Sequence, residues 1–160
     1  MYILGHHVLV YVLLVGAVLL TVATFWKGDA AVRYAGLTHL AVEVAQFIIH
    51  PRFGDTGAES IVLAVDFISS VVLLLLAVRF AALWLGATMM LQSALFSLHA
   101  YYLVMELPQD RVHAWINNTC DWGIITCIVT GLVTGARRRK ALAREDAERA
   151  ARRQQLLARV

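Results

Sequence analysis

The stretch Thr38–His50, THLAVEVAQFIIH, decides how the rest of the chain is read. It is mostly apolar, yet His39, Glu43, Gln46 and His50 recur at offsets of four, three and four, which sets them on one narrow stripe of an α-helix. An apolar helix with a ladder of titratable groups points to an interior face in a lipid-solvated bundle, where such groups find partners.

The composition agrees. The chain has 160 residues, 60% hydrophobic and only 16% charged, too apolar for an ordinary soluble domain of this size. The formal charge of +3 is concentrated after residue 136, where Arg137, Arg138, Arg139 and Lys140 form a block followed by five more arginines. No Lys/Arg-rich start and small-residue cleavage site opens the chain, so Val8 onward reads as a retained span. Cys120 and Cys127 are the only cysteines. They fall about 10 Å apart along one helix, too far for a disulfide.

Five apolar stretches follow one another: Val8–Trp26, Tyr34–His50, Ser60–Val78, Phe80–Leu107 and Trp115–Gly135. Most have the roughly 20 residues that cross a hydrocarbon core, and the second is the shortest. Pro51 and Pro108 are expected to end the helices before them, and Arg79 alone separates the third stretch from the fourth. The expectation is an all-α, polytopic bundle of five spans over residues 1–136, or four if the second stretch lies on the surface, with a cytoplasmic helical tail over 137–160. Lys and Arg near span ends favour the cytoplasm. Five spans place the tail, Lys27, Arg33 and Arg79 inside a bacterial inner membrane, with the N-terminus in the periplasm.

Ionisable groups inside spans usually face the bundle interior. The expected network is His39, Glu43 and Gln46 on the second stretch, Asp66 on the third, and Gln92 and His99 on the fourth, with Gln92, His99 and Glu106 seven apart. Such a network either fixes helix register or relays protons or small ions. His6, His7, His50, His99 and His113 share the outer half with Met105, Glu106, Cys120 and Asp121, so a transition metal or haem b has His50 and His99 as its nearest ligands. No HxxxH, CxxC or CxxCH spacing is present, and neither metal nor cofactor is expected.

Gly123, Cys127, Gly131 and Gly135 recur every four residues, a small-residue face for close helix packing, within the chain or against another subunit. Asn117, Asn118 and Asp121 are expected to cap the start of that helix. The tail lacks Gly and Pro and pairs Glu145 with Arg149 and Glu148 with Arg152, so the helix is expected to continue. Arg137, Arg138, Arg139 and Lys140 suit anionic lipid or a partner, and nothing supports nucleic-acid binding. No P-loop, GxSxG, HExxH or Rossmann pattern appears, so an enzyme is not expected.

The run FWKGDAAVRYAG, then Asp66, Arg79, Trp84, Gln92 and His99 in order, resembles a group of small uncharacterised alphaproteobacterial multi-span inner-membrane proteins, over about half the chain. That resemblance implies a membrane bundle and no particular activity. The functions in view are an accessory or assembly subunit of a larger inner-membrane complex, in contact with other subunits or with itself; a proton- or ion-conducting protein; and a holin-like or defence effector that permeabilises the membrane.

Overall fold

The computed structural model describes residues 2–157, with side chains described at 11–49, 58–152 and 154–155. These residues form four helices and no strand: α1 (Tyr2–Lys27), α2 (Ala30–Phe80), α3 (Leu83–Val104) and α4 (Arg111–Leu157). The fold is all-helical.

α2 contains both the second and the third apolar stretch, since helical hydrogen bonding continues through residues 50–57 where Pro51 was expected to end it. It does not run straight. Ile49 packs in one cluster with Ala58 and Val62, positions that an unbent helix would hold about 14 and 20 Å away. Val32 and Leu73 likewise share one core. The axis therefore turns back on itself between Ile49 and Ala58. The first arm, residues 30–49, lies against the second, residues 58–80, and five helical segments result.

Each segment buries one stripe. On α1 it is Leu13, Ala17, Thr21 and Thr24; on the arms Val32, Ala35, His39, Val42 and Glu43, then Val62, Asp66, Ser69 and Leu73. On α3 it is Leu85, Thr88, Gln92 and Leu95, and on α4 His113, Cys120, Asp121, Ile124 and Ile128. Spacings of three and four keep a stripe on one face of a helix. α3 packs against α2 and α4, and α1 against the first arm, where the Thr21 hydroxyl donates to the Gly36 carbonyl at 3.1 Å.

The connectors differ in detail from expectation. The third and fourth stretches part at Ala81–Ala82 and not at Arg79, with Ala81 left-handed at φ 48° and its N–H bonded to the Ala77 carbonyl at 2.9 Å. α3 stops at Val104, and Glu106 is exposed at φ 52°, so it leaves the stripe of Gln92 and His99. The start of α4 is capped by Asp110, whose carboxylate accepts the His113 N–H at 2.8 Å. Asn117, Asn118 and Asp121 lie inside the helix and cap nothing, because helical geometry begins at Arg111.

The small-residue face is filled from within the chain. A Cβ on Gly123 would meet Leu91 at 2.8 Å, one on Gly131 would meet the Trp84 indole at 2.6 Å, and one on Gly135 would meet the Asp29 carboxylate at 3.2 Å. Cys127, half-buried, lies between them. α3 and the Asp29 cap occupy the surface that sequence left open to another subunit.

Among the described residues, two helical stretches are long and apolar enough to cross a membrane, Ala58–Phe80 and Arg111–Arg152, and the described part of α1, Tyr11–Lys27, is apolar as well. Five such stretches were expected. The first arm and α3 are diluted by the polar residues they turn inward, His39 and Glu43 on one, Gln92 and His99 on the other.

Candidate functional site

The interior polar groups converge in the half of the bundle nearest the connector 105–110. Asp66, on the second arm, is fully buried. Its Oδ1 accepts from Gln92 Nε2 at 3.0 Å, and its Oδ2 lies 2.5 Å from His99 Nδ1. A carboxylate only accepts, so His99 Nδ1 is assigned the proton, which leaves Nε2 as the imidazole's acceptor. The hairpin formed by the second arm and α3 brings these three together, and the aromatic pair Phe67–Phe96, 5.6 Å apart, closes the same interface.

His113 continues the line outward. Its ring lies 5.2 Å from that of His99 and 4.6 Å from that of Tyr102, while the Tyr102 hydroxyl donates to Asp110 at 2.8 Å. Asp110 is exposed, and the His113 N–H followed by the Tyr102 hydroxyl hold its carboxyl below the usual carboxylate range. His113 Nε2 is buried without a hydrogen-bond partner.

Inward, the first arm and α4 add two more carboxylates. Glu43 is buried, with Oε1 3.9 Å from His39 Nε2, one turn away. That separation is too long for a hydrogen bond, and His39 Nε2 has no other partner. Asp121 is buried on α4, accepts from Asn117 Nδ2 at 3.0 Å, and lies within electrostatic reach of Glu43 and then Asp66. Among the described residues, three carboxylates and three imidazoles thus lie in the interior, and no Lys or Arg is buried with them.

Of the residues expected from sequence, Asp66, Gln92 and His99 are joined by hydrogen bonds, and His39 and Glu43 are buried one turn apart on the first arm. Gln46 is half-buried and joins none of the hydrogen bonds among the described residues. The side chains of His50, His6 and His7 lie outside the described residues. His99 is engaged by Asp66, and among the described residues no three of His, Cys, Asp and Glu are placed to hold a metal. Sequence reasoning misassigned Asn117 and Asp121 as helix caps and passed over Tyr102. The PQD run before Arg111 was the available signal, since a cap at Asp110 puts Asp121 three turns inside α4.

Toward the other end every segment turns apolar. Below the polar groups lie Val32 and Ala35, Leu73, Leu85, and Ile124 and Ile128, all in one core. The buried hydroxyls of Thr24 and Thr88 are tied to the carbonyls of Thr21 and Trp84. Beyond that core the basic residues gather. Arg33 donates to the Gly28 carbonyl at 3.1 Å, and Arg139 donates to the Lys27 carbonyl, so Arg139 anchors α4 to the α1–α2 turn. Arg137, Arg138 and Lys140 are exposed, and α4 continues as a helix whose described residues beyond them are all exposed and in which Arg149 and Glu145 are 3.8 Å apart.

Fold and site together define a helical bundle with a buried acid–imidazole interior. Compared with known proteins, the chain matches no family model, no curated protein and no solved structure.

Proposed function

We propose that the protein is an integral membrane bundle of five crossings that works as a small, non-enzymatic subunit of a larger bacterial inner-membrane assembly. One observation carries the membrane reading: burial is inverted. The polar groups are inside, while Leu83 is 95% exposed, Trp26 84%, Val104 78% and Val78 75%. A water-soluble monomer rarely presents apolar area on this scale, whereas lipid solvates it without cost. Trp26 and Tyr34 near one end, and Tyr101 and Trp115 near the other, fit the aromatic belts of a bilayer interface. With Lys27, Arg33, Arg79 and the Arg137–Lys140 block at one end, the positive-inside preference puts the tail in the cytoplasm and the 105–110 connector outside.

The subunit reading is supported by two features. The polar interior ends at an apolar core, which disfavours a through-path for ions and with it an autonomous conductor or permeabilising effector. The end of α4 offers a charged helical arm whose described residues from 141 on are exposed, suited to anionic lipid or a neighbouring chain. Purification from native membranes at natural expression level, with identification of the co-purifying chains, tests this. A stoichiometric partner is expected, and a chain that runs alone in mild detergent and leaves the membrane in carbonate would refute it. A reporter active only in the periplasm, fused after Val160, should stay silent.

A further inference from the structure

The interior site has an imbalance that its hydrogen bonds do not resolve. Glu43, Asp66 and Asp121 are all buried, with Asp121 within electrostatic reach of the other two, and among the described residues the groups around them are His39 on the first arm, Gln92 and His99 on α3, and His113, Asn117 and Cys120 on α4; the described part of α1 buries no titratable group. Asp66 is well satisfied, by Gln92 and His99. Glu43 and Asp121 are not. Asp121 has one amide donor, and Glu43 has only an imidazole nitrogen 3.9 Å off, itself buried, 4% exposed and unpartnered. Ionised carboxylates in a water-poor interior need donors or cations. Here the missing element has the size and charge of a proton, since among the described residues no three ligands converge for a metal.

We propose that Glu43 and Asp121 form a proton-binding site that holds one exchangeable proton at neutral pH and loads it from the 105–110 end through His113, His99 and Asp66. The proton leaves water at that end and forms an O–H bond on a carboxylate oxygen of Glu43 or Asp121, which loses its charge. Uptake and release use the same stations, because the core of Val32, Leu73, Leu85, Ile124 and Ile128 closes the other direction. The two unpartnered imidazole nitrogens mark the route: His113 Nε2 near its mouth and His39 Nε2 at its inner end. A site that exchanges with one side only does not conduct by itself; it charges or neutralises the bundle interior in response to that side. The inference rests on the membrane reading above for the sidedness it assigns.

The test is infrared difference spectroscopy of the full-length protein in lipid nanodiscs, using the carboxylic-acid C=O stretch and its shift in D2O. Wild type should show a protonated-acid band at neutral pH that is lost at high pH. Glu43→Gln and Asp121→Asn should each remove or displace it, and if one variant fails to fold the other carries the assignment. His113→Phe should keep the band but slow its hydrogen–deuterium exchange. No neutral-pH acid band in wild type overturns the proposal, as does a band that survives both substitutions. A band abolished by sodium at fixed pH would mean that the site takes a metal cation instead, and unchanged exchange in His113→Phe would overturn the route. Co-purification and membrane extraction are separate readouts, so failure here leaves the subunit reading standing.

Discussion

Asp66, fully buried on the second arm of α2, lies 2.5 Å from the Nδ1 of His99, thirty-three residues further along the chain on α3. With Gln92 on its other oxygen, this carboxylate joins two helices at a single depth. In the membrane setting proposed above, lipid would supply no hydrophobic force between helices, so that such a polar clamp and close packing would set their register.

Replacing Asp66 should therefore destabilise in a graded way. Asp66→Leu strands both His99 and Gln92 at about 1 to 3 kcal/mol each, while Asp66→Asn keeps one acceptor and costs less. Thermal unfolding in detergent should rank wild type above Asn above Leu, and equal stability of all three would refute the clamp.

Gly131 faces the Trp84 indole, so Gly131→Ala forces a Cβ into the ring and should cost about 1 to 3 kcal/mol by overpacking. Trp84→Leu in the same background should recover part of that loss, a coupling that a double-mutant cycle measures. Gly16, with nothing within 4 Å of an added Cβ, is the control: Gly16→Ala should be neutral or gain up to about 1 kcal/mol from helix propensity. Equal effects at the two glycines would exclude intramolecular packing as the reason for the stripe.

Ala81 holds a left-handed conformation at φ 48°, which an L-residue with a Cβ adopts at a cost. Ala81→Gly relieves it and should raise stability by about 1 kcal/mol, with the N–H to Ala77 preserved. A fall in melting temperature would show that some other contact of the Ala81 methyl outweighs the strain.

Asp110 gives a pH dependence with a definite sign. Its folded-state carboxyl titrates below the usual range, through the His113 N–H first and the Tyr102 hydroxyl second, so its stabilising effect is full above the unfolded value. It fades as pH falls through the lower, folded value. The melting-temperature gap between wild type and Asp110→Ala should accordingly be constant near neutrality and narrow in acid; a gap that widens on acidification would reverse the assignment.

Much of this protein was readable before its fold. The five apolar stretches, the stripe of His39 and Glu43, the small-residue face and the helical tail all follow from local rules: a residue's place on a helix face depends only on spacing, and helix propensity only on near neighbours. Three features were decided elsewhere. α2 does not end at Pro51 but continues and turns back between Ile49 and Ala58, where the arms on either side pack at Ile49, Ala58 and Val62. The glycine face belongs to Trp84 and Leu91, since only the antiparallel return of α4 along α3 determines what lies opposite it. Asp121 joins Glu43 and Asp66 for the same reason. It looks like a helix cap until Asp110 is seen to start α4, and its carboxylate neighbours come from residues more than fifty positions away. Spacing fixes which way a side chain points on its own helix; what it meets is set by the packing of helices that sequence leaves unordered in space.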